Sequence, residues 1–305
     1  MLDFAKQIED AVKNNTVIED STGHYFLKKQ LLDVMLDFPE KPKDFKVDIV
    51  RPKTYDQTFL VSGGADSTIM WELNNKEAGT KIGIYVDLGH GYTKKEIGAL
   101  EMMEMPHIIV PYKLKFDAFW KHIIPTRNYV LLSIAEQYTS HEGEIWLGAV
   151  EGESANDAGD KSELFFKLFE ELVWRTKRKK VTIRTLKDKT KNAWLKWYMD
   201  NTPAEKGVDI LDTITCFDGA SAKPCGKCQA CVRKWISMKY CGVSDAKIPL
   251  MFEVHPYDGG QEYIVKYKTQ MQLAIDKNDF THYSNNRCIE DLSVITDEEV
   301  RRMVG

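Results

Sequence analysis

At 305 residues the chain can bury one sizeable α/β core and a small appended unit. Its 43% hydrophobic and 29% charged residues are ordinary for a globular protein, and a formal net charge of −4 argues against a protein built mainly to neutralise nucleic-acid phosphates. No apolar run is long enough to span a bilayer. The stretch Met1 to Asp10 carries acids where a signal peptide would not, so a cytoplasmic protein is expected.

Residues 1–56 read as a helical extension in which Leu31, Leu32, Val34, Met35, Leu36 and Phe38 offer apolar surface before a break from Pro39 to Pro42, suited to a packing arm or a dimer contact. Residues 57–210 then alternate strand and helix signals. Thr58 to Val61 is strand-like, a helix runs from Thr68 towards Gly79, and Ile82–Val86 is a strand before a helix over Lys94–Met103. His107–Val110 is a strand, Tyr129–Tyr138 a helix and Ile145–Leu147 a strand. Ser162–Trp174 is a helix with Leu164, Phe165, Leu168, Phe169 and Leu172 on its apolar face, and Val181–Ile183 is a strand. Such alternation predicts an α/β fold with a doubly wound, mostly parallel sheet, whose ligands bind at the carboxyl ends of the strands. A cysteine-bearing segment over 211–244 and a C-terminal extension over 245–305 complete the chain.

The segment Leu60-Val61-Ser62-Gly63-Gly64-Ala65-Asp66-Ser67-Thr68 lies where a buried strand becomes a helix. Two glycines let the backbone approach an anion, and the helix behind them offers free N–H groups and the positive end of its dipole. The segment is thus expected to cradle a phosphate. No Lys follows the glycines, so it is not the loop that holds the β- and γ-phosphates for γ-transfer.

Cys216, Cys225, Cys228 and Cys231 fall within sixteen residues, with two successive C-x2-C steps. That spacing suits one tetrahedral Zn²⁺ held by four thiolates, with iron–sulfur ligation and unligated cysteines as alternatives. Four protein ligands leave no open position, so such a metal would be structural. Gly226 lets the chain double back, and Lys227 offsets the negative charge of the thiolates. Cys241 and Cys288 stand apart and are expected to pack. A basic run, Arg175 to Lys180 with Arg184, Lys187, Lys189 and Lys191 beyond it, leaves contact with nucleic acid open, with a solvated helix end favoured.

The Ser-Gly-Gly-x-Asp-Ser loop resembles the PP-loop of ATP pyrophosphatases of the adenine nucleotide alpha hydrolase-like fold. Taken with the cysteine cluster, it is similar to that of 7-cyano-7-deazaguanine synthases. Val86-Asp87-Leu88-Gly89-His90-Gly91-Tyr92, ending in Glu96, resembles the family's Asp-Tyr-Gly-Gln stretch. Pro125-Thr126-Arg127-Asn128 resembles its Pro-x-Arg-Asn motif, and Lys223 to Cys228 its zinc segment.

The resemblance covers about residues 58 to 240. It implies an ATP-dependent C–N ligase that adenylates the carboxylate of 7-carboxy-7-deazaguanine with Mg²⁺ and ATP, then aminates it with free ammonia to an amide and a nitrile. It further implies that Ser62, Asp66 and Arg127 act in catalysis, that the loop amides hold pyrophosphate, that Asp66 orients Mg²⁺ or the loop, and that Asp87 serves the nucleotide or its metal. A homodimer without membrane association is also implied. The chain departs from the family at Glu151 to Ser162, which lacks the family's Pro-Asp-Cys-Arg stretch, and at His90, which replaces a Gln. The acids of 151–162 are candidates for reading a guanine-like N–H edge or holding metal, with a solvated loop as the alternative. Adenylation of another acceptor, a tRNA base or a macromolecule-linked deazaguanine, and a zinc-stapled nucleotide sensor without catalysis are the competing readings.

Overall fold

Five strands, β1 (Tyr55–Leu60), β2 (Lys81–Asp87), β3 (His107–Pro111), β4 (Thr139–Val150) and β5 (Thr182–Leu186), form one sheet in the order β3-β2-β1-β4-β5. Every neighbouring pair is parallel. The structure is a computed structural model describing residues 52–74, 80–112, 126–151, 159–202, 209–210, 213–214, 216–218, 223–244, 247–277, 294–296 and 298. The expected helical arm within 1–56 lies outside the described residues up to position 51, as do Pro125, Cys288 and 152–158.

A parallel sheet must be covered on both faces, and the period of two along each strand sorts the side chains accordingly. Leu60, Ile82, Ile84, Val86, Ile145 and Leu147 point to one face. They pack with Leu132, Ile134 and Ala135 of α3 (Arg127–Tyr138) and with Phe166, Phe169 and Val173 of α4 (Glu163–Lys177). Phe59, Val61 and Tyr85 point to the other face, where α1 (Ala65–Leu73), α2 (Thr93–Met102) and α5 (Lys191–Asn201) supply Ile69, Met70, Leu100, Trp194 and Leu195. Phe59 is fully buried between Trp71, edge-on at 5.3 Å, and Trp146, stacked at 5.8 Å. Its burial contributes about 1.5–3 kcal/mol and each aromatic pairing about 0.5–1.5 kcal/mol more. The fold is a doubly wound α/β sheet, as the alternation of signals predicts.

The stripe that α4 turns inward differs from the expected one. Phe166, Phe169 and Val173 are buried, Phe165 is partly covered, and Leu164, Leu168 and Leu172 are exposed. The helix carries two apolar stripes side by side, and periodicity alone does not say which one meets the sheet. Ser162 caps it by accepting from the Phe165 N–H, and Arg178 ends it in the left-handed conformation.

Beyond α5 the chain builds a second core. Helix α6 (Gln229–Tyr240) sets Cys231, Val232, Trp235, Ile236 and Met238 against Ile248, Phe252, Ile264 and Ile295. These come from α7 (Ile248–Met251), α9 (Gln261–Lys277) and the segments beside them, with α8 (Pro256–Gly259) between. Among the described residues no helix is long and apolar enough to cross a membrane.

Candidate active site and metal centre

The chain leaves β1 for β2 and β3 on one side, then returns to lay β4 and β5 on the other, so the topology reverses between β1 and β4. In open α/β sheets the crevice at such a reversal is where ligands bind. The loop after β1 opens there, on a cavity of about 410 Å³.

Gly63 explains why the loop needs glycine. Its φ is +66°, and a Cβ would stand 2.8 Å from both Ala99 Cβ and the Glu96 carbonyl oxygen of α2. The N-cap of α1 is Gly64, which has no side chain to satisfy the first-turn amides. The Thr68 N–H bonds the Gly64 carbonyl at 3.2 Å, leaving the amides ahead of it without a helical partner. The Ser62 N–H is held by Ser67 Oγ at 3.0 Å, which shapes the loop and withdraws that one amide from an incoming anion. Leu60, Val61, Ser62, Gly64, Ala65, Asp66 and Ser67 line the cavity, whereas buried Thr68 ties back to the Gly64 carbonyl through Oγ1.

Asp66 Oδ2 pairs with Lys191 Nζ of α5 at 3.1 Å, while its Oδ1 is buried with no hydrogen-bond partner. An orphaned buried carboxylate oxygen is costly unless a cation or donor meets it. This geometry fits a Mg²⁺ ion carried in by a polyphosphate. Arg127, at the first turn of α3, lines the cavity, as do Lys161, Lys191, Arg233 and Lys234. Among the described lining residues, five cations against two carboxylates, Asp66 and Glu96, favour a polyanion. Of the five, sequence reading singled out only Arg127 for the site. The others become visible only when α4, α5 and α6 are folded around the loop.

Asp87 takes a bracing part. Its Oδ1 accepts from the Gly89 N–H at 2.9 Å and from Thr93 Oγ1 at 3.0 Å, fixing the turn between β2 and α2, and it is not among the cavity-lining residues. The turn it holds presents His90 and Tyr92, stacked at 4.7 Å with planes 10° apart, to the cavity, with Phe217 6.2 Å from Tyr92. Burial lowers the proton affinity of His90, with Arg127 adding to the effect. Glu96, one turn into α2, accepts from the Tyr85 hydroxyl at 2.8 Å. Burial pushes its carboxyl up to about 7, against the opposing pull of Tyr85 and Arg127.

In the 151–162 loop, the carboxylate of Asp160 accepts from the Asn128 N–H at 3.2 Å, and its carbonyl from Asn128 Nδ2 at 3.0 Å. Asp160 therefore caps α3 behind Arg127. Glu151 is exposed, and Glu153 and Asp157 lie outside the described residues.

The sulfurs of Cys216, Cys225, Cys228 and Cys231 lie within 4.8 Å of one another, with Cys225–Cys231 at 4.0 Å and Cys228–Cys231 at 3.5 Å. Four ligands at about 2.3 Å around a tetrahedral Zn²⁺ have sulfurs about 3.8 Å apart, so the cluster fits that ion. Gly226 has φ +72°, and a Cβ there would fall 1.7 Å from the Val254 carbonyl oxygen, so the knuckle admits only glycine. Lys227 and Cys225 donate backbone N–H groups to the sulfurs of Cys225 and Cys216 at 3.4 and 3.2 Å, the outer support that thiolate centres need. Cys241 packs beneath the sheet, where burial pushes its thiol up to about 11.

The basic run is largely occupied within the protein. Lys177 and Lys179 both pair with buried Glu136, Arg184 pairs with Glu144 at 2.8 Å, Arg175 with Glu171 at 2.5 Å and Lys189 with Asp188 at 2.7 Å. Arg178 lies over Trp174 and Lys187 over Phe166.

Residues 93–240 match the family described as queuosine biosynthesis protein QueC. That span runs from the first residue of α2 to the last of α6, taking in Arg127 and all four clustered cysteines. Over that segment the chain is similar to QueC. It is 32% identical over 135 residues to a 7-cyano-7-deazaguanine synthase of Alteromonas mediterranea, which is 43% of this chain and 57% of that protein. It is 31% identical over 140 residues to a 7-cyano-7-deazaguanine synthase of Marinobacter nauticus, which is 45% of this chain and 59% of that protein. The chain thus spans less than two thirds of the curated relatives it matches. The Ser62–Ser67 loop lies upstream of the matched family segment and meets it in space, where Gly63 packs against Ala99.

Proposed function

We propose that the chain is an ATP-dependent C–N ligase that activates the carboxylate of 7-carboxy-7-deazaguanine and transfers ammonia to it, giving the amide and then 7-cyano-7-deazaguanine with release of AMP and pyrophosphate. The observation that carries this reading is the convergence on one cavity of the Ser62–Ser67 loop, the orphaned Asp66 oxygen and five cations. The names of the two synthases support the product.

ATP supplies the adenylyl group, and Mg²⁺ at Asp66 Oδ1 would offset the charge of its phosphates. The free first-turn amides of α1 and the hydroxyl of Ser62 receive the β- and γ-phosphates, the group that departs as pyrophosphate. Lys191 holds Asp66 from behind, so the carboxylate stays aimed. Arg127, Lys161 and Arg233 draw the carboxylate acceptor and the α-phosphate together against their mutual repulsion, a positioning and electrostatic contribution. The apolar wall formed by Leu60, Ile84, Val86 and Leu131 excludes water that would hydrolyse an acyl-adenylate, and the His90–Tyr92–Phe217 aromatics offer faces for a flat base.

A cytoplasmic, zinc-stapled homodimer using free ammonia is the state we propose for the working enzyme. The ion pairs that occupy the basic run give no support to nucleic acid as the acceptor. The test is incubation with ATP, Mg²⁺, ammonium and the carboxylate, scoring AMP and the amide or nitrile by mass. AMP formation that does not depend on the carboxylate would reject the acceptor.

A further inference from the structure

Forming an amide from an acyl-adenylate and ammonia requires the attacking nitrogen to lose a proton, and the cavity holds a group placed to take it. Glu96 and Asp66 are the two carboxylates among its described lining residues, and Asp66 is committed to Lys191. Glu96 reaches the cavity from the helix whose backbone packs on Gly63, so it stands beside the phosphate loop itself. The Tyr85 hydroxyl, 2.8 Å from Oε2, fixes the orientation of the carboxylate.

We propose that Glu96 is the general base of amine transfer. The assignment rests on the ligase reading above. The nitrogen lone pair of ammonia forms the C–N bond at the acyl carbon, and Glu96 takes one N–H proton from the tetrahedral adduct. The bond from that carbon to the phosphate oxygen then breaks, with its electron pair leaving on AMP. Neutral amide, AMP and protonated Glu96 remain, and Glu96 returns its proton to water.

The surroundings suit that task. Tyr85 and Asp87 face Glu96 from β2, Tyr92 from the turn ahead of α2 and Arg127 from α3, while Lys95 beside it turns away to the Asp218 carbonyl. Burial, the largest influence, raises the proton affinity of the carboxyl to about 7, where a base is strong enough to accept the proton and still ionised in part at neutral pH. Among the described lining residues, His90 is the competing neutral base. Burial weakens it as a base, and its ring is stacked on Tyr92.

The experiment compares wild type, Glu96→Gln, Tyr85→Phe and His90→Gln in single turnover with ammonium and with hydroxylamine, whose less basic nitrogen gives up its proton more readily. Glu96→Gln should slow amide formation from ammonium by about 10²–10⁴-fold and hydroxamate formation by less than about tenfold. Tyr85→Phe removes a hydrogen bond that favours the ionised carboxylate, so the acidic limb of its rate profile should move to higher pH. Equal losses with both amines in Glu96→Gln, an unmoved limb in Tyr85→Phe, or the ammonium-specific loss appearing in His90→Gln instead would overturn the assignment. If wild type makes neither product nor carboxylate-dependent AMP, the ligase reading itself fails, which is a separate result.

Discussion

The Ile214 N–H donates to the Gly63 carbonyl at 3.0 Å, tying the middle of the Ser62–Ser67 loop to a segment two residues ahead of Cys216. Ile214 also lies over the loop from above, since a Cβ on Gly64 would sit 3.2 Å from its carbonyl oxygen. Lys234 of α6 adds a second tie, its Nζ donating to the Thr213 carbonyl at 2.7 Å. The cysteine unit and the Ser62–Ser67 loop are therefore mechanically joined.

Metal removal should accordingly cost nucleotide affinity as well as stability. Cys228→Ser should lose about one zinc per chain and a large part of the roughly 10 kcal/mol that structural zinc supplies to folding, most visibly in the core around α6. Metal analysis with calorimetric ATP titration checks this. A zinc-free variant that binds ATP as tightly as wild type would show that the two units are independent.

Gly63→Ala should disable the loop. A left-handed backbone costs an L-residue about 1–2 kcal/mol, and the clash with Ala99 and the Glu96 carbonyl adds about 1–3 kcal/mol. Denaturant unfolding should report the sum, and ATP binding should fall with it. Retention of both would mean that the loop relaxes freely.

Asp66→Asn keeps the size of the side chain and removes its charge, leaving Lys191 without its ion pair. AMP formation should drop by about 10²–10³-fold, the scale of a lost electrostatic group at a reacting centre, with zinc content unchanged. Ser62→Ala should act in the same direction but more weakly, because Ser62 is exposed at the cavity edge. Thermal unfolding separates this from collapse of the fold.

The raised proton affinity of Glu96 links stability to pH. Its folded value of about 7 lies above the ordinary 4.5. The unfolded chain gives up this proton more readily, so the group's contribution is complete below about pH 4.5 and is lost as pH rises through 7. Glu96→Gln, which cannot ionise, should gain on wild type by about 1–3 kcal/mol between pH 5 and pH 8. Unfolding free energies of both proteins across that range check the sign. A difference that does not change with pH would place the carboxylate in water.

The parallel sheet was legible because its strands carry short apolar runs separated by helices, the pattern of a two-faced sheet. The Ser62–Ser67 turn into a helix N-terminus and the clustering of the four cysteines were legible because each is local, set by glycines and sulfurs a few residues apart. What sequence could not supply is long-range. Lys191 reaches Asp66 from 125 positions away, and Arg233 meets the cavity only through the docking of α6. The inward face of α4 was misjudged because Leu164, Leu168 and Leu172 are as apolar as the Phe166–Val173 stripe beside them. Glu96 was named only as the end of a motif, since its value as a base comes from Tyr85 and from burial, neither of which a spacing reports.

The most direct test of the central claim is one incubation of the purified protein with ATP, Mg²⁺, ammonium and 7-carboxy-7-deazaguanine, followed by mass spectrometry of nucleotide and base. The account predicts AMP, formed only when the carboxylate is present, together with the amide or nitrile. Failure to form AMP, or AMP formed at the same rate without the carboxylate and with the base unchanged, would contradict it.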